Sequence, residues 1–142
     1  MVVPAPLLDR PELVPTDWLT DVARRSGLVA PGARSIGTGQ VGQNVRFTIS
    51  WSGDEDAPPT LVGKFAAADE TSRMAGLLTG TYVGEVRFYQ ELAERCAMRV
   101  PTCHVAELDL ASGAFVLLFE DIPPARQGDQ IAGCPVDEAA LA

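Results

Sequence analysis

The sequence predicts an α+β fold: a five-stranded antiparallel sheet with one helix packed across it, preceded by an N-terminal helix. Three observations carry this. Residues 45–51 alternate apolar and polar with period two, the mark of a strand with one buried face. Residues 82–96 place apolar side chains at helical spacing. Short β-prone runs on either side are punctuated by Gly, Pro and Asp. At 142 residues the chain fits one folding unit, able to bury roughly two-thirds of its unfolded surface.

In chain order, residues 1–15 are Pro-punctuated and read as an extended segment. Thr16 reads as an N-cap with Asp17 in the first turn; Trp18, Leu19, Val22 and Ala23 follow at helical spacing and Gly27 stops the helix. Residues 33–37 read as a short strand leading into a glycine string. Val45, Phe47, Ile49 and Trp51 then form the apolar side of a second strand, with Asn44, Arg46, Thr48 and Ser50 on the other. An acidic loop, 52–59, joins it to a returning strand, 60–66. The stretch 67–80 is polar and Gly-containing, with room for a short helix.

Thr81 reads as the cap of the main helix. Tyr82, Val86, Tyr89, Leu92, Ala93 and Cys96 make its apolar stripe, and Arg87, Gln90, Glu91, Glu94 and Arg95 its wet face. Strands over 102–108 and 114–120 follow, joined by a turn at 109–113. Pro123 and Pro124 end the last one, because proline cannot donate to a ladder. A helix begins near Pro135.

Composition narrows function. The net charge is -8, against a general nucleic-acid or anionic-membrane binder. No apolar run reaches the roughly 18 residues of a membrane span, and Met1 to Pro6 do not resemble a signal peptide. Cys96, Cys103 and Cys134 are odd in number with no CxxC spacing, which suggests buried free thiols in a reducing cytoplasm rather than disulfides or zinc.

The chain contains a single lysine, Lys64, inside the apolar run Leu61-Val62-Gly63-Lys64-Phe65-Ala66. Richness in Ala, Gly, Pro and Arg suggests coding bias, which would also deplete lysine, so position rather than scarcity makes Lys64 notable. An ammonium in such a strand either snorkels from an edge or needs a partner. Glu85 sits on the apolar stripe of the main helix while that helix's other acids lie opposite. It either favours the helix N-terminus or pairs with Lys64 across the sheet–helix interface, where losing one partner of a buried pair costs roughly 3–5 kcal/mol.

Gly37, Gly39 and Gly42 match GxGxxG. A dinucleotide fingerprint needs a helix directly after the glycines, whereas a strand pattern follows here. A P-loop would need Gly-Lys-Ser/Thr. What remains is a Gly-rich hairpin, plain or lying over nucleotide phosphates. At the far end, Phe115–Phe119 run into Glu120, Asp121 and Ile122, either a plain strand end or a segment whose backbone reads a base. Ile122 is the last N–H donor before Pro123.

Glycines, lysine, helix glutamate and strand exit occur in kinase order. The stretches IGTGQVGQNVRF (36–47), LVGKF (61–65), GEVRFYQELAER (84–95) and FVLLFEDIPPARQGDQIAGC (115–134) resemble the amino-terminal lobe of aminoglycoside phosphotransferase-like and choline kinase-like proteins, over about residues 16–142. The resemblance implies a kinase-like lobe at 16–122, with 123–142 a connector toward a carboxy-terminal lobe outside this chain. It implies ATP, held by Gly37, Thr38, Gly39, Gln40, Gly42, Lys64, Glu85, Glu120, Asp121 and Ile122, and transfer of its γ-phosphate to a small-molecule hydroxyl. Magnesium is expected only with the other lobe.

One position departs from the protein-kinase form: Asn44 stands where GxGxxGxV has Val, and Val45 comes one later. A base-and-metal loop of HxD…N type cannot be assembled, because the sequence has one His, His104, and one Asn, Asn44. Asp17-Trp18 precedes the glycines and reads as a helix start. The chain alone is therefore expected to be a truncated, inactive phosphotransferase lobe that pairs with a complementary lobe or self-associates through an apolar face. The alternative is a non-catalytic module binding a nucleotide or a partner.

Overall fold

A computed structural model describes residues 10–15, 17–19, 28–36, 41–51, 58–122, 131, 133 and 135–139. Five strands, β1 (Leu28–Ile36), β2 (Gly42–Trp51), β3 (Thr60–Ala66), β4 (Cys103–Leu108) and β5 (Phe115–Glu120), form one sheet in the order β1-β2-β3-β5-β4. Every neighbouring pair is antiparallel. The fold is α+β, as the sequence predicts. Gly42 opens a strand and the sheet has no parallel pair, so the dinucleotide-binding alternative is excluded.

β1 is longer than the expected strand at 33–37. It begins earlier, at Leu28, and runs through Pro31, which pairs with Ile49 on the sheet edge. An edge strand tolerates a missing N–H. The turn between β4 and β5 closes as expected: Asp109 N–H donates to the Ala114 carbonyl at 2.8 Å, the Asp109 carboxylate accepts from Ala111 N–H at 3.0 Å and Ser112 Oγ at 2.6 Å, and Gly113 has φ 70°.

Period two sorts the strand side chains onto two faces. One face carries Val45, Phe47, Ile49, Leu61, Phe65, Val116 and Leu118, closed over by Trp18 and Leu19. Asp17 to Leu19 are helical; the rest of the expected N-terminal helix, Thr16 included, and the side chain of Trp51 lie outside the described residues. The other face carries Ala66, Phe115 and Leu117, packed against Tyr82 and Val86.

Two helices follow β3: α1 (Glu70–Leu78), the short helix for which 67–80 leaves room, and α2 (Thr81–Arg87). Asp69 caps α1 by accepting from Ser72 N–H at 2.9 Å. Thr81 is not a cap but the first residue of α2. Gly80, in the left-handed region at φ 71°, ends one helix and precedes the other. α2 runs into a π-helical turn, Phe88–Leu92, and a 3-10 turn, Ala93–Arg95.

That wide turn corrects the predicted stripe. A π turn adds a residue and rotates the side chains beyond it, so Leu92 is exposed while Phe88 turns partly inward. Cys96 and Cys103 are free thiols but only half-buried; Cys134 lies outside the described residues. A short helix, α3 (Val136–Ala139), forms where a helix was expected near Pro135. Among the described residues no helix is long and apolar enough to cross a membrane.

Candidate functional site

Lys64 lies on the central strand, paired with Asn44 of β2 and Leu117 of β5. It points to the face covered by α2. Its neighbours in β3, Gly63 and Phe65, belong to the sealed face, so alternation alone puts the ammonium on the helix side. There Lys64 Nζ donates to Glu85 Oε1 at 2.5 Å. The expected pair is present, less buried than expected, with side chains 26% and 32% exposed. Its loss therefore weighs less than that of a fully buried pair, about 1–2 kcal/mol. Glu85 Oε2 is buried and has no hydrogen-bond partner.

Gly42 completes this corner. It pairs with Ala66, and a Cβ at Gly42 would lie 3.0 Å from the Phe65 carbonyl and 3.5 Å from Lys64 Cε. The lysine stem thus passes over the glycine at van der Waals distance, and a side chain there would crowd the Phe65 carbonyl.

Beside the ion pair opens a cavity of about 360 Å³. Gly84, Phe88 and Tyr89 form its helix wall, Leu117 and Phe119 its strand wall. Tyr89 packs on Phe119 with centroids 4.7 Å apart. Burial, with Cys103 and Glu85 nearby, pushes the Tyr89 phenol up, so it stays neutral. The cavity is mostly apolar and open to solvent, with one cation and one carboxylate, Lys64 and Glu85, in its lining.

The strand exit lies toward the other end of these strands, where Glu120 alternates to the opposite face and Asp121 returns to the side of Lys64 and Arg46. Glu120 pairs with Leu61, three residues along from the Lys64–Leu117 rung, or roughly 10 Å at the rise of an extended strand. Here the side chains are already engaged. Glu120 Oε1 accepts from Thr102 N–H at 2.9 Å, and Glu120 N–H donates to the Thr102 carbonyl. The Asp121 carboxylate accepts from Arg46 Nε at 2.6 Å and Nη2 at 3.1 Å. Burial pushes the Asp121 carboxyl up, but hydrogen bonds from Arg46 and Thr60 and the guanidinium charge outweigh it and hold it below its ordinary value. The Asp121 carboxylate, the Glu120 carboxylate and the Glu120 N–H are thus all engaged within the fold, which leaves the backbone of Asp121 and Ile122 to serve a ligand.

Gly42, Lys64 and Glu85 are thus brought together, and Glu120, Asp121 and Ile122 stand three or more residues further along the strands. Gly37, Thr38, Gly39 and Gln40 lie outside the described residues. Sequence reading missed Arg46, Phe88 and the Tyr82 hydroxyl. Arg46 occupies a polar position that looked solvent-facing, and only the pairing of β2 with β3, and β3 with β5, reveals its neighbour. Phe88 enters the wall through the π turn, which has no sequence signal.

Other reactive groups stand apart or are quenched. Burial pushes the Cys103 thiol up to about 11, so it is a poor nucleophile at neutral pH. His104 lies on the edge strand β4, two strands from Lys64, where desolvation lowers its imidazole. No group of three or more His, Cys, Asp or Glu among the described residues could hold a metal ion. No family model matches the chain, and no curated protein does.

Proposed function

We propose that this chain is the nucleotide-holding lobe of a small-molecule phosphotransferase of the aminoglycoside phosphotransferase and choline kinase type. The observation that carries the reading is the Lys64–Glu85 pair. The lysine stem passes beside Gly42, and the ammonium, on a side chain 26% exposed, has hydrogens left to donate. A lysine oriented by a helix carboxylate beside a glycine is suited to the α- and β-phosphates of ATP. The free backbone edge near Asp121 and Ile122 is at a fitting distance for the base.

In this mechanism the chain binds and orients. Glu85 fixes the rotamer of Lys64. Lys64 neutralises phosphate charge, and the absence of a Cβ at Gly42 lets phosphate oxygens approach the backbone. The bound nucleotide supplies the transferable phosphoryl group. The described residues do not fit magnesium, so no step here passes through a metal. Calorimetric titration with ATP tests the reading. Micromolar to millimolar binding that Lys64→Ala weakens at least about tenfold supports it; equal binding by both proteins contradicts it.

A second reading is supported by one observation. Neither His104, on an edge strand, nor Asn44, facing Lys64 on β2, belongs to a base-and-metal loop. The 142 residues on their own then act as a non-catalytic nucleotide- or partner-binding module. Both readings expect no phosphoryl transfer by this chain alone. ATP-dependent phosphorylation of an aminoglycoside or choline by the purified chain would refute that.

A further inference from the structure

Tyr82 is the largest fully buried side chain on the helix-covered face, 1% exposed. Packing explains its ring, which lies 4.3 Å from Phe115. Packing does not require its hydroxyl. That hydroxyl donates to the Val41 carbonyl and accepts from Ala67 N–H at 3.2 Å. Val41 directly precedes Gly42 and Ala67 directly follows Ala66, and Gly42 and Ala66 form the last rung between β2 and β3. One oxygen therefore ties together the two backbones just outside the rung over which the Lys64 stem passes.

The same corner is reinforced twice. Gln43 Nε2 donates to the Ala66 carbonyl at 3.0 Å, and Arg73 Nε donates to the Ala67 carbonyl at 3.1 Å. Tyr82 also lies three residues before Glu85, on the same side of α2. The helix is thus pinned to the sheet at two successive points, by Tyr82 to the rung and by Glu85 to the lysine. Gly76 of α1 makes room for this arrangement: a Cβ there would lie 2.8 Å from the Tyr82 hydroxyl and closer still to its ring.

We propose that Tyr82 is a positioning residue for the phosphate end of the site, its hydroxyl setting how the Gly42 backbone and the Lys64 ammonium face a bound polyphosphate. The proposal rests on the nucleotide reading above. It assigns the hydroxyl a task distinct from that of the ring, so removing only the oxygen must weaken phosphate binding and spare the nucleoside.

The test compares ATP with adenosine, titrated into the wild-type chain and into Tyr82→Phe by NMR. Tyr82→Phe keeps the ring on Phe115 and loses both hydrogen bonds. Expected is about a five- to tenfold loss of ATP affinity, with adenosine affinity held within about twofold. Gly76→Ala, which displaces the Tyr82 ring without removing the oxygen, should give the same phosphate-selective loss. Equal weakening of both ligands in these variants, or ATP binding like wild type, overturns the proposal and leaves the nucleotide reading intact. Absence of ATP binding by the wild-type chain overturns both.

Discussion

Two ion pairs stand on the helix-covered face of the sheet, and they are built differently. Arg46 of β2 meets Asp121 beyond β5 through two guanidinium hydrogen bonds. Thr60 adds a third interaction to that carboxylate, which is only 10% exposed. Lys64 meets Glu85 through one contact, with Glu85 more open than Asp121 and its Oε2 unpartnered. The first pair is saturated and straps β2 to the strand exit. The second leaves hydrogen-bonding capacity unused beside a cavity. Bidentate Arg–carboxylate geometry suits a fixed structural link, whereas a singly held ammonium keeps donors for a ligand. A saturated pair serves the fold, and an unsaturated one keeps donors and acceptors for the ligand proposed above.

The contrast breaks most readily at Asp121. Asp121→Ala leaves a partly buried guanidinium unpaired and should cost about 2–3 kcal/mol in urea denaturation. A loss near zero would mean the strap contributes nothing to stability. Next comes the double replacement Lys64→Met with Glu85→Leu. If that pair exists for ligand rather than for fold, stability should stay within about 1 kcal/mol of wild type or rise, since apolar side chains suit the aromatic wall. A loss above about 2 kcal/mol would make the two pairs equivalent and remove the contrast.

A smaller effect is expected with pH. The folded-state pKa of Asp121 is depressed. Its contribution is therefore present above the unfolded carboxylate value, about 3.9, and is lost as pH falls through the lower folded value. The stability difference between wild type and Asp121→Asn should narrow as pH falls below the unfolded carboxylate value and through the lower folded one. A difference constant across that range would show that the carboxylate charge does not matter.

The sheet was legible because its pattern is local. Period two in β2, the short bounded runs of β3 and β5, and Asp109 and Gly113 at the turn each announce their own element. The Lys64–Glu85 pair was legible because both residues violate the pattern around them, a charge in an apolar run and an acid on an apolar stripe. The hidden features depend on elements brought together from afar. The extension of β1 through Pro31 was hidden because edge placement, which tolerates a proline, is a property of the sheet. Arg46 looked solvated because its partner is 75 residues away. The π turn that exposes Leu92 and brings in Phe88 lies in a run with ordinary helix formers on both sides. The Tyr82 hydroxyl was hidden behind its own ring, since an aromatic at that position is fully accounted for by packing.

The central claim is that Lys64 is held by Glu85 so that it can meet phosphate. Calorimetric titration of the purified chain with ATP, set beside Lys64→Ala and Arg46→Ala, tests it most directly. Wild type should bind, Lys64→Ala should lose at least about tenfold in affinity, and Arg46→Ala should change by less than about threefold. Binding that is unchanged by loss of Lys64, or lost equally in both variants, would contradict the claim.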